Sequence, residues 1–341
     1  MRFMRLFASA LENIAFGAVE TVYKDGAVTF YKTTEKQRQG WKSINDSLYA
    51  RAQAATGVRL DFHTDSKTFA FCAKSGRKFD LLLDGVLTYS LSEDDFDKQG
   101  RSRTFDIGRT AVTVNAPCPD GTNHGGADIR VTLIFPSHDE QTALEYIELE
   151  DGAAVTPHEY SCKMLFIGDS ITQGWNSGFD SLSYAWQTAL HFNADCVING
   201  VGGGFFSECT FDKPGFDPDI VIIAYGTNDF GRYASVDEFS PHVNGYLELV
   251  KEAYGDKRVF CILPIWRSDI DKYPKYSSFA DCCGIIRDAA LKRGIKPIDG
   301  MKLVAHFKEF FFDHVHPNAL GFCMYAKALS VEIEKEIGKK A

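Results

Sequence analysis

The sequence predicts two consecutive folding units: a β-sandwich, then an α/β unit built on a parallel sheet. Two patterns predict it. The chain as far as residue 158 holds short, alternating apolar and polar segments between turn residues. From Lys163 onward, near-continuous apolar segments alternate with helix-length amphipathic ones. Length agrees, since 341 residues exceed the roughly 100–200 of a typical domain. The expected domains are 1–158 and 159–341. The rhythm changes near Asp151-Gly152, and no linker is long enough to make the halves independent.

In the first unit, Val58-Arg59-Leu60-Asp61-Phe62-His63 alternates as a half-buried strand does. Lys67 to Ala73 and Lys78 to Leu83 continue the pattern, and Asp84-Gly85 marks a turn. Ala111 to Val114, Ile129 to Phe135 and Ala143 to Leu149 add strands, which together read as a sandwich. In the second unit, Met164–Ile167, Cys196–Ile198, Asp219–Tyr225 and Arg258–Ile265 read as buried strands. Helical patterns lie around Ser183–Phe192, Pro241–Tyr254 and Phe279–Lys292, and a last helix runs from about Asn318 to Ile337. Such alternation implies a parallel sheet covered on both faces.

Charged residues are 24% and hydrophobic ones 45%, so the chain is globular rather than disordered. The net charge of −9 repels phosphate backbones, and no Lys/Arg cluster offsets it, which argues against nucleic-acid binding. No stretch of about 20 apolar residues predicts a membrane span. Met1-Arg2-Phe3-Met4-Arg5 resembles the start of a signal peptide, but Glu12 and Asn13 break the apolar run after it. The nine cysteines show neither a disulfide frame nor a Cys-x-x-Cys zinc site. Buried thiols in a reducing cytoplasm are the expected state.

Ligands of parallel α/β sheets bind at the carboxyl ends of the strands. Polar signatures fall at such ends here. Gly168-Asp169-Ser170-Ile171-Thr172-Gln173-Gly174 follows the first strand. Ser170 there reads either as a helix cap or as an exposed nucleophile whose own N–H faces an oxyanion. Asn199-Gly200-Val201-Gly202-Gly203-Gly204 lacks the Gly-x-Gly-x-x-Gly spacing of a dinucleotide site, and reads as a tight loop or an N–H donor. In Tyr225-Gly226-Thr227-Asn228-Asp229, Asn228 offers an amide donor, or a simple turn. Asp313-His314-Val315-His316-Pro317-Asn318 precedes the last helix, with Pro317 near its first position. Asp313, His314 and His316 fall short of a fourth metal ligand. A base, His316, with an orienting carboxylate, Asp313, fits the segment better, because a helix N-terminus disfavours an imidazolium unless a carboxylate stabilises it.

Together these blocks resemble the SGNH (GDSL-type) hydrolase superfamily over residues 163–337. The resemblance implies a flavodoxin-like three-layer α/β/α domain and ester hydrolysis without metal or cofactor. It implies Ser170 as nucleophile, His316 as general base and acid, and Asp313 as its orienter. The oxyanion hole would be formed by the N–H groups of Ser170 and Gly203 and the side chain of Asn228. The glycine run leaves Gly204 as the alternative to Gly203. A β-sandwich (jelly-roll-like) domain ahead of such a domain resembles two-domain carbohydrate esterases, which deacetylate polysaccharides or oligosaccharides.

Trp175, Phe205, Phe206, Tyr225, Phe230 and Trp266 lie close to these blocks, and sugars stack their C–H faces on such rings. Trp266-Arg267 and Tyr225 are the expected substrate contacts. The expected substrate is a small-molecule or oligosaccharide ester with a short acyl group. A lysophospholipase, an acyl-thioesterase or a sugar O-acyltransferase of the same superfamily are the alternatives, and a carbohydrate-binding protein is the non-enzymatic one.

Overall fold

The computed structural model describes residues 2–76, 78–108, 128–138, 141–233, 235–270 and 278–338. Two six-stranded antiparallel sheets occupy the first part of the chain. One contains Phe3–Phe7, Glu20–Lys24, Ala27–Tyr31, Thr68–Ser75, Phe105–Asp106 and Ala143–Glu150. The other contains Ala15–Phe16, Arg59–Thr64, Asp80–Leu83, Val86–Ser90, Ile129–Ile134 and Thr156–Pro157. Leu60, Phe62, Val131 and Leu133 from one sheet meet Phe69, Phe71 and Ile147 from the other in a shared core. Asp84 and Gly85 take φ of 49° and 78°, the left-handed pair that a two-residue hairpin requires. The segment Ala111–Val114, expected as a strand, lies outside the described residues.

This part is not all β. Helices Glu35–Ile44 and Asp46–Gln53 interrupt it. Thr34 and Gln37 form a capping box at the first, and Asn45 ends that helix and caps the second. Trp41, Leu48 and Ala52 pack on Val201 and Phe205 of the second half. The two helices therefore carry first-half residues to the edge of the parallel sheet.

The alternation at Arg59–Thr64 also has a different meaning from a half-solvated strand. Arg59 and Asp61, its polar half, are 0% exposed. Their face of the sheet lies against the strand Ala194–Gly200, where Arg59 Nη2 donates to Asp195 at 2.9 Å. Arg130 grips Asp61 with two bonds, at 2.9 and 2.7 Å, and the Tyr160 hydroxyl donates to the same carboxylate. Burial alone would push the Asp61 pKa up, but Arg130 and Arg59 outweigh it and hold it below the usual carboxylate range.

From Cys162 the sheet is parallel. Its spatial order is Ala194–Gly200, Cys162–Gly168, Ile220–Ala224, Arg258–Ile262, Lys296–Ile298, the doubly wound order 2-1-3-4-5. Met164 and Phe166 face one helix layer, with Tyr184–His191 and Ala319–Ile337. Leu165 and Ile167 face the other, with Val236–Tyr254 and Phe279–Lys292. The strand Cys162–Gly168 lies between its two neighbours, so the winding reverses at its carboxyl end. That is where ligands bind in such sheets. The helix expected from Pro241 starts five residues earlier, capped by Ser235, and takes Pro241 inside it. No helix among the described residues is long and apolar enough to cross a membrane.

Replacing Asp61 by Ala leaves two buried guanidinium groups short of a partner. The expected loss is about 3–5 kcal/mol of stability, read from the urea midpoint. An unchanged midpoint would contradict this account of the seam.

Candidate active site

Ser170 opens the short helix Ser170–Gln173 directly after the strand Cys162–Gly168. The cap is Asp169, whose carboxylate accepts from the Ile171 N–H at 2.9 Å. Ser170 is thereby relieved of the capping role. A side chain at Gly168 would stand 2.1 Å from Thr172 Oγ1 and 2.9 Å from the Ala224 carbonyl, so only glycine allows this turn.

The Ser170 hydroxyl lies 2.8 Å from His316 Nε2. His316 Nδ1 lies 2.8 Å from Asp313 Oδ2. The other Asp313 oxygen accepts the backbone N–H groups of Val315 and His316, each at 2.8 Å. One carboxylate thus ties the loop and orients the ring. Burial pushes the Asp313 pKa up, but the hydrogen bonds from His316 and Val315 outweigh it, and the net shift is down. The loop is closed by a bridge between Phe311 and Pro317. Pro317 precedes the helix cap, Asn318, rather than standing at the first helical position.

In the glycine run, Gly202 donates its N–H to Gln173 Oε1 at 2.7 Å, and Gly204 donates to the Val201 carbonyl at 2.7 Å. The Gly203 N–H has no acceptor among the described residues. Gly203 has φ of +81°, which favours glycine. Arg51 Nη1 donates to the Gly202 carbonyl at 3.0 Å. In a trans peptide the carbonyl and the following N–H point opposite ways, so this bond also fixes the direction of the Gly203 N–H. Asn228 donates from Nδ2 to the Gly204 carbonyl at 2.9 Å, which sets its amide plane; its second hydrogen has no acceptor among the described residues.

These groups share an open cleft of about 620 Å³. Ser170, His316, Gly202, Gly203 and Asn228 line it, with Arg51, Trp175, Phe230, Arg232 and Arg267. Tyr225 does not line it, contrary to the sequence reading. It is 3% exposed and packs between Phe206 and Tyr246, because an odd strand-end position faces the helix layer. Trp266 also lies elsewhere, stacked on His306 and edge-on to Phe311. Its neighbour Arg267 does reach the cleft, held by Asp269 at 2.6 Å and by the Thr227 carbonyl at 2.8 Å.

Sequence reasoning missed Arg51, Arg232 and the holding role of Gln173. Gln173 stood inside the Gly168–Gly174 block and could have been found there. Arg51 lies 151 positions from its Gly202 contact, and no local signal marks it. His314 bonds Ser268 Oγ at 3.1 Å. No group of three or more His, Cys, Asp or Glu among the described residues could hold a metal ion.

Two buried carboxyls underlie the site. Burial raises Asp169 and Asp229 to about 7. Asp229 Oδ1 accepts the Phe206 N–H, while Oδ2 has no hydrogen-bond partner among the described residues.

Residues 166–322 match the GDSL-like lipase/acylhydrolase family. The cellulase/esterase CelE of Acetivibrio thermocellus is 24% identical over 228 residues, 53% of this chain; the match spans only 26% of that protein. Among solved structures, a salicylyl-acyltransferase from a tetracycline biosynthetic pathway superposes with a TM-score of 0.79 at 18% identity, covering 99% of this chain and 98% of its own. A family two carbohydrate esterase from Cellvibrio japonicus gives 0.65 at 16% identity, over 98% of both chains. The acetyl xylan esterase Est2A of Butyrivibrio proteoclasticus gives 0.64 at 15%, over 98% of this chain and 99% of its own. At these identities the structural likeness is one of fold.

Two outcomes follow from the geometry. Asp313→Asn keeps an oxygen for the two loop N–H groups but turns an amide donor toward His316 Nδ1, forcing the wrong tautomer. Ester turnover should fall about 10⁴-fold with an unchanged melting temperature; a small loss would contradict the orienting role. Asp229 ionises near 3.8 when unfolded and about 7 when folded. Between these values the unfolded chain holds fewer protons, so the group costs stability increasingly as pH rises, levelling above 7. The stability of Asp229→Asn relative to the unaltered protein should therefore climb across that window in urea titrations. A flat difference would contradict the raised pKa.

Proposed function

We propose that the protein is a carboxylic ester hydrolase that removes acetyl groups from carbohydrate esters through an acyl-enzyme on Ser170, a reading supported by the match of residues 166–322 to the GDSL-like lipase/acylhydrolase family. The observation that carries this is the relay Ser170–His316–Asp313, opening on a cleft that also holds Gly203 and Asn228. His316 Nε2 takes the Ser170 proton as Oγ attacks the ester carbonyl. The negative oxygen meets the N–H groups of Ser170 and Gly203 and the Asn228 amide. His316 then protonates the departing sugar oxygen. Water, deprotonated by the same ring, attacks the acyl-enzyme and frees acetate.

Gly203 is preferred to Gly204 as the second donor because the Gly204 N–H is held by Val201. The short acyl group is supported by the wall of the cleft, where, among the described residues that line it, Trp175, Phe230 and Val315 are the ones with apolar side chains. The sugar is supported by the Trp175 and Phe230 rings and by the fold shared over the whole chain with a family two carbohydrate esterase and an acetyl xylan esterase. The overlap with an acyltransferase favours a second reading, in which a hydroxyl rather than water takes the acyl group. Counting acylated acceptor against free acetate, with a sugar alcohol present, separates the two.

Mass spectrometry on acetylated oligosaccharides should record loss of acetyl groups, and Ser170→Ala should abolish it. Retained loss in that variant would overturn the nucleophile. Asn228→Ala should lower kcat by about 10²–10³ through loss of one oxyanion donor. p-Nitrophenyl acetate should be cleaved faster than the octanoate; the reverse order would contradict the short-acyl reading.

A further inference from the structure

Three guanidinium groups line the cleft, from Arg51, Arg232 and Arg267, and no Asp or Glu is among the described residues that line it. The chain carries a net charge of −9, so this concentration runs against the average of the protein. Arg267 is neutralised by two bonds to Asp269, at 2.6 and 3.0 Å. Arg51 holds the Gly202 carbonyl and lies 5.7 Å from the Trp175 ring. Arg232 is different. It is exposed, and no carboxylate among the described residues lies in ion-pair range of it. Its guanidinium sits 3.5 Å from the centroid of Phe205, the residue that follows the glycine run. Stacking on a buried ring and a side-chain hydrogen bond with Tyr233 hold the guanidinium plane, and a guanidinium has five N–H donors, enough to serve a carboxylate or phosphate as well.

We propose that Arg232, assisted by the positive charge of Arg51, forms an anion-binding subsite, and that the preferred substrate is an acetylated sugar carrying a carboxylate or a phosphate. The inference rests on the acetylesterase reading. An acetyl group has no room for a second charge, so the anion belongs to the sugar. A positive cleft in an acidic protein also draws an anionic ester in and turns away competing cations.

The test compares kcat/KM for acetylated glucose, acetylated glucuronic acid and acetylated glucose phosphate, with the acetyl at the same position. One of the two anionic esters should exceed the neutral one by about tenfold, and which one identifies the anion. High salt should shrink that ratio. Arg232→Gln should bring it close to one, while Arg232→Lys should keep part of it; equal melting temperatures would show that both variants fold. Equal efficiency on all three sugars, or a ratio that survives in Arg232→Gln, would overturn the inference and leave the esterase reading standing. Hydrolysis of p-nitrophenyl acetate with none of the three sugars would overturn the sugar reading, and this inference with it.

Discussion

The hydrogen bond between Ser170 and His316 joins residues 146 positions apart, and the second half of the fold is arranged so that it can form. Ser170 is brought to it by the strand Cys162–Gly168 and a turn that only glycine permits. His316 is brought to it by a loop bridged at Phe311–Pro317 and tied by one carboxylate. Asp169 takes the capping duty that would otherwise fall to Ser170. Neither residue holds itself in place; each depends on neighbours that satisfy the backbone around it.

The first half of the chain is part of the same constraint. Gln173 donates to the carbonyl of His138 at 2.7 Å and accepts the Gly202 N–H. Arg51 holds the next carbonyl from a helix that the sandwich inserts between its strands. Gly202 is thus held at its N–H by Gln173, from the second half, and at its carbonyl by Arg51, from the first. The buried pairing of Arg59 and Arg130 with Asp61 and Asp195 locks the two halves together elsewhere along the seam. A ligand that reaches Ser170 meets both halves at once.

Much of this was legible because periodicity reports burial. The segment Met164–Ile167 reads as apolar throughout because helices cover both its faces, and Asp84-Gly85 reads as a turn because its φ values demand it. Ser170, Asn228, Asp313 and His316 were legible because each stands in a block at a strand or loop end. Tyr225 and Trp266 were misplaced because nearness in sequence to a motif does not fix the face to which a ring turns; both rings pack away from the cleft. Arg59 and Asp61 read as a solvated strand face because nothing local reveals a second layer packed over it. Arg51 was invisible for the same reason, since its partner is made only by tertiary contact.

The central claim is that Ser170 carries the acyl group between the two steps. Rapid quenching of the protein during turnover of p-nitrophenyl acetate, followed by peptide mass spectrometry, tests it most directly. The account predicts one acetyl group on the peptide containing Ser170, and none on that peptide in Ser170→Ala. An acetyl group carried on another residue during turnover, with Ser170 unmodified, would contradict it.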